Sequence, residues 1–504
     1  MAIQRTSRMR RVKAFQPRLN LTDLSGISNF AFLYLTTGVP DRKRPLYWGL
    51  PKGTLLICLA LALLCVLTYA PSLSLPLLED DYANIWGAQH YGSWAGFPAM
   101  FHDDVARVRA TVYWTIYLVW KYFGLSPLAF RVSNLILQIF DTWLLYAIGL
   151  AWGRMRPAAF WAAAFFAVYE GHQEAVMWFS ANNELLLFLF GGASLLCWIK
   201  ASSRPANEWL LRAAGLLLFV LALLSKESAY IFVPLFLLAT PVEEWRRSLP
   251  HLAPYCLLAA VMIVSVVLTR GHSFRFTDGS FSLHAPVWLT LPRNVGRVLW
   301  FWGLLSVTLI FMSSAAASVR KSALIALAWI AIALVPYSFL TYSTQIPSRQ
   351  LYLASVGLSF LFGLAMVQLR EITLASPQRA GRGPEFPKGT APPVAATQAP
   401  FCAPFLKRSW LAAIVMLAVV GHNVGYIWIK KQRQFRERAE PTQELIQAAR
   451  QTDGLLWVQC FPRHPSIAEA AVWVALNRYP SNLIFTPDQA APLKPSATFC
   501  YKGH

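Results

Sequence analysis

Apolar runs separated by short polar connections follow one another along most of the chain. Several runs approach or exceed the roughly 20 residues that an α-helix needs to cross a bilayer. Runs of this length are typical of membrane-spanning helices, so the pattern predicts an all-α polytopic membrane protein. We expect about eleven spans, near residues 53–71, 128–152, 157–170, 183–200, 209–225, 228–240, 252–269, 298–312, 322–342, 351–369 and 409–429. The runs near 157–170 and 228–240 are short for a full crossing.

One apolar stretch, 286–297, is interrupted by Pro292, Arg293 and Arg297. Charges at this spacing are costly in the membrane core. A helix that lies on the membrane surface accommodates them, so we predict a surface helix there.

Composition agrees with a membrane protein. Apolar residues make up 56% of the 504 positions and charged residues only 14%, less charge than a soluble surface requires. The net charge of +21 first suggests nucleic acid as a partner. Many of the basic residues, however, precede the first apolar run, where they are typical of a cytoplasmic anchor. We therefore predict membrane lipids and no nucleic acid as partners. A cleavable signal sequence is not evident, because the first apolar run begins only after residue 50.

Basic residues in alternate connections predict which of them face the cytoplasm. With the N-terminus inside, the segments 72–110, 170–183 and 343–350 lie outside. The predicted organisation is a basic cytoplasmic segment (1–50), a membrane core (51–370), a Pro-, Ala- and Gly-rich cytoplasmic linker (371–408), a last span (409–429) and a small extracytoplasmic domain (430–504).

The tail reads as a small soluble α/β domain. QELIQAAR predicts a helix and LLWVQCF predicts a strand. Cys460 and Cys500 lie in this tail, where an oxidising compartment would allow a disulfide between them. The basic residues that open the tail, from Lys430 to Arg438, conflict with an outward placement, because such residues usually flank the cytoplasmic end of a span.

Ionisable residues collect in the segments predicted to lie outside. They are Glu79, Asp80 and Asp81 after the first run, Arg109 before the next, Glu170, His172 and Glu174 in a tight connection, Lys226 and Glu227 side by side, and Arg349 at the start of the tenth run. The alternative for the carboxylates is a solvated loop, and for Arg349 an interfacial anchor. Together, the two charge types suit a reaction in which a hydroxyl loses a proton to a carboxylate while a phosphate departs towards cations.

Several pieces of sequence, in order, resemble a known family. They include the acidic pair Asp80–Asp81, PLAFRVSNLILQIFDTWLLY, FAVYEGHQEAVMWFSANNELL, LALLSKESAYIFVPLFLL and SRQLYLASVGL, within residues 50–370. The set resembles the polytopic GT-C glycosyltransferases. Its nearest members are the bacterial protein O-mannosyltransferase-like proteins and the membrane part of the transmembrane and tetratricopeptide-repeat O-mannosyltransferases.

This resemblance implies an inverting transfer of sugar from a polyprenyl-phosphate donor to an acceptor hydroxyl on a protein, lipid or glycan. It implies a bacterial inner membrane with the active site on its outer face. By position, Asp80 or Asp81 is the implied general base. His172 and Glu174 match the family's His-x-Glu, and later motifs are matched by Lys226, Glu227, Arg349 and Tyr352. Arg109, Lys226 and Arg349 are the implied phosphate-binding residues, with Glu79 beside the base.

The chain departs from the family's pattern at several positions. Tyr169 and Glu170 stand where the family often has His-Pro, Asn182 replaces an Arg, and Gln138 replaces a His. A short tail stands in place of the tetratricopeptide repeats. These departures leave the sugar and the acceptor open.

Two other functions compete with this interpretation. A transporter or flippase of lipid-linked saccharides would also need many spans and buried charge, although the sequence offers no clear inverted repeat. A ligase or polymerase of preassembled glycans would use similar outer-face charges. No cofactor is demanded by the sequence, and a divalent metal near His172 and Glu174 is left open because no ligand spacing requires one.

Overall fold

A computed structural model describes residues 52–104, 106–203, 205–272, 281–313, 315–340, 347–375, 410–477, 482–487 and 493–501. The predicted segment 1–50 and nearly all of the predicted linker 371–408 lie outside these residues. Helices dominate the described part of the chain up to residue 451.

The membrane core is a series of helices joined by short turns. In chain order they are α1 (Lys52–Tyr69), α2 (Glu79–Tyr91), α3 (Phe97–Met100), α4 (Ala110–Phe123), α5 (Pro127–Ala151), α6 (Ala159–Val168), α7 (Gln173–Met177), α8 (Asn182–Ser203), α9 (Glu208–Leu223), α10 (Phe232–Ala239), α11 (Trp245–Leu268), α12 (Val287–Leu299), α13 (Trp302–Met312), α14 (Ala317–Leu334), α15 (Tyr352–Ala375) and α16 (Trp410–Gly425).

Each predicted span coincides with a helix, so the predicted polytopic all-α fold is confirmed. Among the described residues, seven helical stretches are long and apolar enough to cross a membrane, or eight if the bent pair α12–α13 counts as one span. The other predicted spans are shorter helices: 156–168, α9 and 227–239. The two runs that are short in the sequence are therefore also short in the structure.

Helix α15 lies at the centre of the core, and 94% of its most apolar stretch is buried. It packs against α6, α13 and α14. Close approach of these backbones depends on glycine: a Cβ on Gly363 would lie 2.7 Å from the Ala158 carbonyl oxygen, and one on Gly357 would lie 2.6 Å from that of Ala326. A buried helix of this kind can be apolar on every face.

A sharp break separates α12 from α13. The two helices meet at 84°, and Phe301 between them has a positive φ of 59°. This backbone conformation is strained for a residue with a bulky side chain, so packing around the break must hold it. A helix forms in the predicted surface stretch 286–297, and the break leaves it at a steep angle to the apolar helix that follows.

The C-terminal domain is α/β, as predicted. A π-helical turn (Tyr426–Lys431) joins α16 to α17 (Gln432–Gln451), followed by β1 (Leu456–Cys460), α18 (Pro465–Leu476), β2 (Leu483–Ile484) and β3 (Ala497–Cys500). The strands form a parallel sheet in the order β2–β1–β3. The predicted helix and strand lie within α17 and β1, and the predicted pair Cys460 and Cys500 forms a disulfide.

This domain packs against the segment that follows the first span. Helix α18 contacts α2, and the Trp86 and Trp473 rings meet edge to face at 6.5 Å. From α17, the Gln443 amide donates to the Leu77 carbonyl at 3.1 Å. The tail and the segment 72–110 are therefore packed together, and the extracytoplasmic placement of both stays a prediction.

Candidate active site

The three adjacent carboxylates lie in the first turn of α2, where the positive end of the helix dipole favours them. Asp81 caps this helix: the Leu78 N–H donates to Asp81 Oδ2 at 2.8 Å. Ser180 donates both its N–H, at 2.9 Å, and its hydroxyl, at 2.7 Å, to Asp81 Oδ1. Asp81 is fully buried. Its carboxylate oxygens are thus occupied by contacts that join α2 to the turn before α8.

A buried arginine completes the environment of Asp81. Arg131 Nη2 lies 3.4 Å from Asp81 Oδ2. The same guanidinium donates to the Met177 carbonyl at 2.6 Å and to the Pro76 carbonyl. Both side chains are inaccessible to solvent. A charge pair this deeply buried fixes the positions of three segments.

Glu79 pairs with two arginines of the C-terminal domain. Arg438 Nε lies 2.5 Å from one carboxylate oxygen and Arg463 Nε lies 2.9 Å from the other. Glu79 is only 4% exposed. Its charge is therefore matched by side chains that follow the last span.

Asp80 differs from both neighbours. Its carboxylate forms no hydrogen bond or ion pair within the part of the chain that the structure describes, while its backbone carbonyl accepts from Asn84. Burial, followed by the negative charge of Glu79, raises the pKa of Asp80 above its usual range. The positive charges of Arg438 and Arg349 oppose this rise, and Asp81 adds to it. Asp80 is therefore a partly buried carboxylate of raised basicity.

Two guanidinium groups lie over the ring of Trp178, near these carboxylates. The Arg438 Cζ atom is 4.0 Å from the ring centroid, and that of Arg349 is 4.5 Å from it. The backbone N–H of Arg349 donates to Glu174 Oε2 at 3.2 Å, which fixes the start of the helical turn that leads into α15. Stacking on an aromatic ring holds a guanidinium group in place.

A cavity of about 470 Å³ opens beside this group, lined by Tyr169, Glu170, Gly171, Gln173, Arg293, Gly296, Arg297, Trp300, Ser348, Leu351 and Tyr426. Three buried polar atoms in its lining, Glu170 Oε2, Gln173 Oε1 and Ser348 Oγ, have no hydrogen-bond partner among the described residues. Such atoms are rare in a folded interior unless a ligand or water meets them. The break at Phe301 sets the angle of α12, which carries both lining arginines.

The cavity and the carboxylates share a wall. Gln173 and Ser348 line the cavity, and their chain neighbours Glu174 and Arg349 bond to each other on the side of Trp178. Burial raises the pKa of Glu170, which also lines the cavity, and the positive charges of His422 and Lys431 partly oppose this rise. The candidate site therefore comprises the acidic triplet, two guanidinium groups stacked on Trp178, and a cavity lined by Arg293 and Arg297.

Arg109 and Lys226 are committed to ion pairs. Arg109 Nη2 lies 3.1 Å and 3.3 Å from the two carboxylate oxygens of Glu227. Lys226 pairs with the buried Glu184 and donates to the Tyr337 hydroxyl at 2.8 Å. Both sides of the second pair are almost fully buried. These predicted phosphate-binding residues thus lie in a buried network that joins α4, α8 and the turn before α10.

His172 and Tyr352 belong to another buried network. His172 Nε2 lies 2.6 Å from Ser355 Oγ, and its Nδ1 lies 3.4 Å from the Gln138 amide. The Tyr352 hydroxyl lies within hydrogen-bond distance of two acceptors, Gln138 Oε1 at 2.6 Å and Asp141 Oδ2 at 2.8 Å. Burial lowers the pKa of His172 to about 3, so its ring is neutral. Gln138, one of the departures from the family's pattern, thus occupies a position in direct contact with His172.

The metal alternative gains no support from the geometry. Among the described residues, no group of three or more His, Cys, Asp or Glu side chains is arranged to hold a metal ion. His172 is enclosed by Ser355 and Gln138, while the Glu174 carboxylate meets the Arg349 backbone.

Sequence reasoning missed several side chains of the site. Arg438 belongs to the basic run that opens the tail, and neither Arg463 nor Trp178 stands out in the sequence as a site residue. Arg131 gave a signal in the sequence, since an arginine inside an apolar run needs a buried partner. Its partner, Asp81, lies fifty positions away in the chain and needs the fold to be found.

Comparison with known proteins confirms the resemblance noted in the sequence. No family model matches the chain. A protein O-mannosyl-transferase of Caenorhabditis elegans is 25% identical over 205 residues, which is 40% of this chain and 27% of the relative. The chain thus spans about a quarter of the length of the curated relative that it matches.

Solved structures give weaker likenesses. Two crystal structures of ArnT from Cupriavidus metallidurans, one in the apo state and one bound to undecaprenyl phosphate, have TM-scores of 0.47 and 0.46 and identities of 14% and 13%. They cover 88% and 89% of this chain, and 87% and 96% of ArnT. The archaeal oligosaccharyltransferase AglB from Archaeoglobus fulgidus, in complex with an inhibitory peptide and a dolichol-phosphate, has a TM-score of 0.49 and an identity of 11%, covering 87% of this chain and 65% of AglB. At these scores the likeness carries no functional inference.

Proposed function

We propose that the protein is an inverting glycosyltransferase that moves a sugar from a polyprenyl-phosphate donor to an acceptor hydroxyl on the outer face of a membrane. The acceptor oxygen attacks the anomeric carbon, the bond from that carbon to the phosphate oxygen breaks, and polyprenyl phosphate leaves with the electron pair. The acceptor proton passes to the Asp80 carboxylate. Attack on the face opposite the phosphate inverts the anomeric configuration.

The observation that carries this proposal is the contrast within the acidic triplet. Glu79 and Asp81 are held by arginines and serine, whereas the Asp80 carboxylate has no such partner among the described residues. The pKa of Asp80 is raised above its usual range. This favours general-base catalysis, because a base works best when its pKa lies near the operating pH. The choice between Asp80 and Asp81, open in the sequence, therefore falls on Asp80.

The leaving phosphate is the second part of the proposal. Arg349, stacked on Trp178, and the cavity residues Arg293 and Arg297 are the cations that we assign to it. The cavity volume lies within the range of roughly 300–1,000 Å³ that is usual for small-molecule sites. Arg109 and Lys226 receive no phosphate-binding role, because Glu227 and Glu184 already match their charges.

The matched relative guides the choice of substrates for a test. It is named a protein O-mannosyl-transferase, which makes mannose the first sugar and a protein hydroxyl the first acceptor to examine. The departures at Tyr169, Glu170 and Gln138 lie beside the cavity or inside the core, so the test should include other hexoses.

The test uses full-length protein in liposomes with a polyprenyl-phosphate mannose labelled in the sugar, and with other polyprenyl-phosphate hexoses in parallel. The expected result is release of free polyprenyl phosphate together with transfer of label to a hydroxyl-bearing peptide. Asp80→Asn should slow release by about 10²- to 10⁴-fold, whereas Asp104→Asn, a carboxylate change in the same segment, should not. Movement of intact labelled lipid between leaflets without release would instead identify a flippase, and use only of preassembled glycans would identify a ligase.

A further inference from the structure

The C-terminal domain places side chains among the candidate catalytic carboxylates. Arg438 from α17 and Arg463 from the turn before α18 each contact one oxygen of Glu79. Both follow the last span and lie outside residues 50–370, the part that carries the family resemblance. The tail therefore supplies cations to a site whose carboxylates follow the first span, far away in the sequence.

The position of Arg438 differs from that of the other arginines on its helix. Arg433 is largely exposed and pairs with Glu437 one helical turn away. The Arg438 guanidinium instead lies between the Glu79 carboxylate, at 2.5 Å, and the Trp178 ring, at 4.0 Å. Arg463 alone would give Glu79 a partner, so the second pairing and the stack are specific to Arg438.

Arg438 also belongs to the electrostatic environment of Asp80. The charged groups that act on Asp80 are Glu79 and Asp81 from its own helix, Arg438 from the C-terminal domain and Arg349 from the segment before α15. Arg463 affects these groups through its ion pair with Glu79, and Arg131 does so through its ion pair with Asp81. Without Arg438, Glu79 would keep only its contact with Arg463, so less of the repulsion between Glu79 and an ionised Asp80 would be offset.

We propose that the C-terminal domain completes the active site and that Arg438 is the positioning residue through which it acts. Arg438 matches the charge of Glu79 and places a second guanidinium on Trp178, so that Asp80 remains the ionised carboxylate that receives the acceptor proton. This inference rests on the proposed function for the role of Asp80. It adds that a membrane core without its tail would retain Asp80 but lose the positive charge of Arg438, which lowers the pKa of Asp80.

The test follows Asp80 in two ways. Peptide-resolved carbodiimide labelling of the full chain in detergent, which reacts with the protonated carboxyl, gives the half-labelling pH of Asp80 without any turnover. The pH dependence of kcat/KM for release from polyprenyl-phosphate mannose gives the pKa of the same group through its effect on activity. We expect Arg438→Gln to move both half-points to higher pH, because it removes a positive charge. Glu79→Gln should move both to lower pH, because it removes a negative one.

Two further variants separate charge from shape. Arg438→Lys should keep the half-points near those of the wild type but lower kcat/KM, because an ammonium cannot stack and fork as a guanidinium does. Arg433→Gln removes a charge from the exposed part of the same helix and should change neither readout. If Arg438 had only a structural role, Arg438→Gln would lower the yield or the thermal unfolding midpoint. The half-points would then not rise in Arg438→Gln and fall in Glu79→Gln.

The labelling of Asp80 tests the role of Arg438, and the release of polyprenyl phosphate tests the proposed function separately. An unchanged half-labelling pH in a folded Arg438→Gln protein overturns it. If that variant does not fold, the Glu79→Gln protein decides: a lower half-point supports the coupling and an unchanged one overturns it. Wild-type protein that releases no polyprenyl phosphate contradicts the proposed function, and the labelling result then still decides whether Arg438 acts on Asp80.

Discussion

Asp80 and Asp81 are neighbours in the chain but lie in different chemical environments. Asp81 accepts hydrogen bonds from Ser180 and Leu78 and pairs with the buried Arg131, whereas the Asp80 carboxylate has none of these contacts. The helix itself creates this difference, since residues one position apart point about a quarter-turn away from each other. The Asp81 carboxylate is therefore held in the protein interior, whereas Asp80 lies within the electrostatic influence of Arg438 and Arg349.

Activity should fall on acidification at a higher pH than an ordinary aspartate would give. The pKa of Asp80 is raised, and the proposed base must be ionised, so turnover is lost as the pH falls through this raised pKa. Asp80→Asn should reduce kcat by about 10²- to 10⁴-fold while leaving the unfolding midpoint unchanged. The measurement is the pH profile of polyprenyl phosphate release, with Asp104→Asn as the control. A variant at Asp80 with near wild-type kcat would remove the proposed base.

Asp81→Asn should act on stability instead. An amide leaves the Arg131 charge uncompensated in the interior, which costs about 3–5 kcal/mol of unfolding free energy for a buried pair. Thermal unfolding in detergent measures this loss. Replacing both residues, with Asp81→Leu and Arg131→Met, should recover much of it because no unpaired charge remains. Unchanged stability in Asp81→Asn would show that the pair does not hold α2 in place.

The helices and the tail elements were predictable because they depend on local pattern. Each apolar run coincides with a helix, and the short runs coincide with the short helices 156–168 and 227–239. QELIQAAR and LLWVQCF gave α17 and β1 in the same way. The run length alone could not show that α12 and α13 meet at a strained residue, Phe301, because no residue type there demands a break.

The site was predictable only in part, because its charges are matched across long distances in the chain. The sequence located the acidic triplet and Arg349, which the structure brings to one region. It could not show that Arg109 and Lys226 are neutralised by Glu227 and Glu184, since their pairing depends on how three helices meet. The basic residues after the last span indicated a cytoplasmic flank, but Arg438 in that run pairs with Glu79 across the site.

Donor recognition should depend on geometry at Arg349 and on charge in the cavity. Arg349→Lys keeps the charge but loses the planar group that stacks on Trp178 and forks onto phosphate. Arg297→Gln removes a cavity charge. We expect each to raise the KM for the donor by about tenfold or more, the scale of one charge-assisted hydrogen bond. Arg246→Gln, an exposed residue at the start of α11, is the matched control. If Arg349→Lys and Arg349→Ala both leave donor KM unchanged, Arg349 serves only as an interfacial anchor.

The Lys226–Glu184 pair provides a test of a structural role. Both side chains are almost fully buried, and Tyr337 bonds to them. Lys226→Met alone should destabilise the protein by about 3–5 kcal/mol, because Glu184 is left buried and unpaired. Adding Glu184→Leu should restore most of the stability. A double variant with restored stability and normal donor KM would confirm that Lys226 supports the fold. A stable double variant that cannot use the donor would instead indicate that Lys226 binds the phosphate.

The C-terminal domain should be reached from the same side of the membrane as the segment 72–110. Packing of Trp473 on Trp86 and the bond from Gln443 to Leu77 require this. Ser93→Cys and Ser466→Cys, each labelled with an impermeant maleimide in sealed right-side-out vesicles, should therefore react together. Labelling of one from outside and of the other only after permeabilisation would contradict the packing, and wild-type protein controls for the native thiols.

The disulfide should link the stability of this domain to activity. Cys460 and Cys500 should resist alkylation until reduced and then appear as a linked peptide pair in non-reduced digests, because the structure bonds them. The bond closes a loop with a sequence separation of 40, worth about 4 kcal/mol in the chain-entropy account. Reduction should loosen the domain that carries Arg438 and Arg463, so turnover should fall with domain unfolding and return on reoxidation. Cysteines that alkylate fully in unreduced protein, or turnover that survives complete reduction with the domain unfolded, would separate the tail from the site.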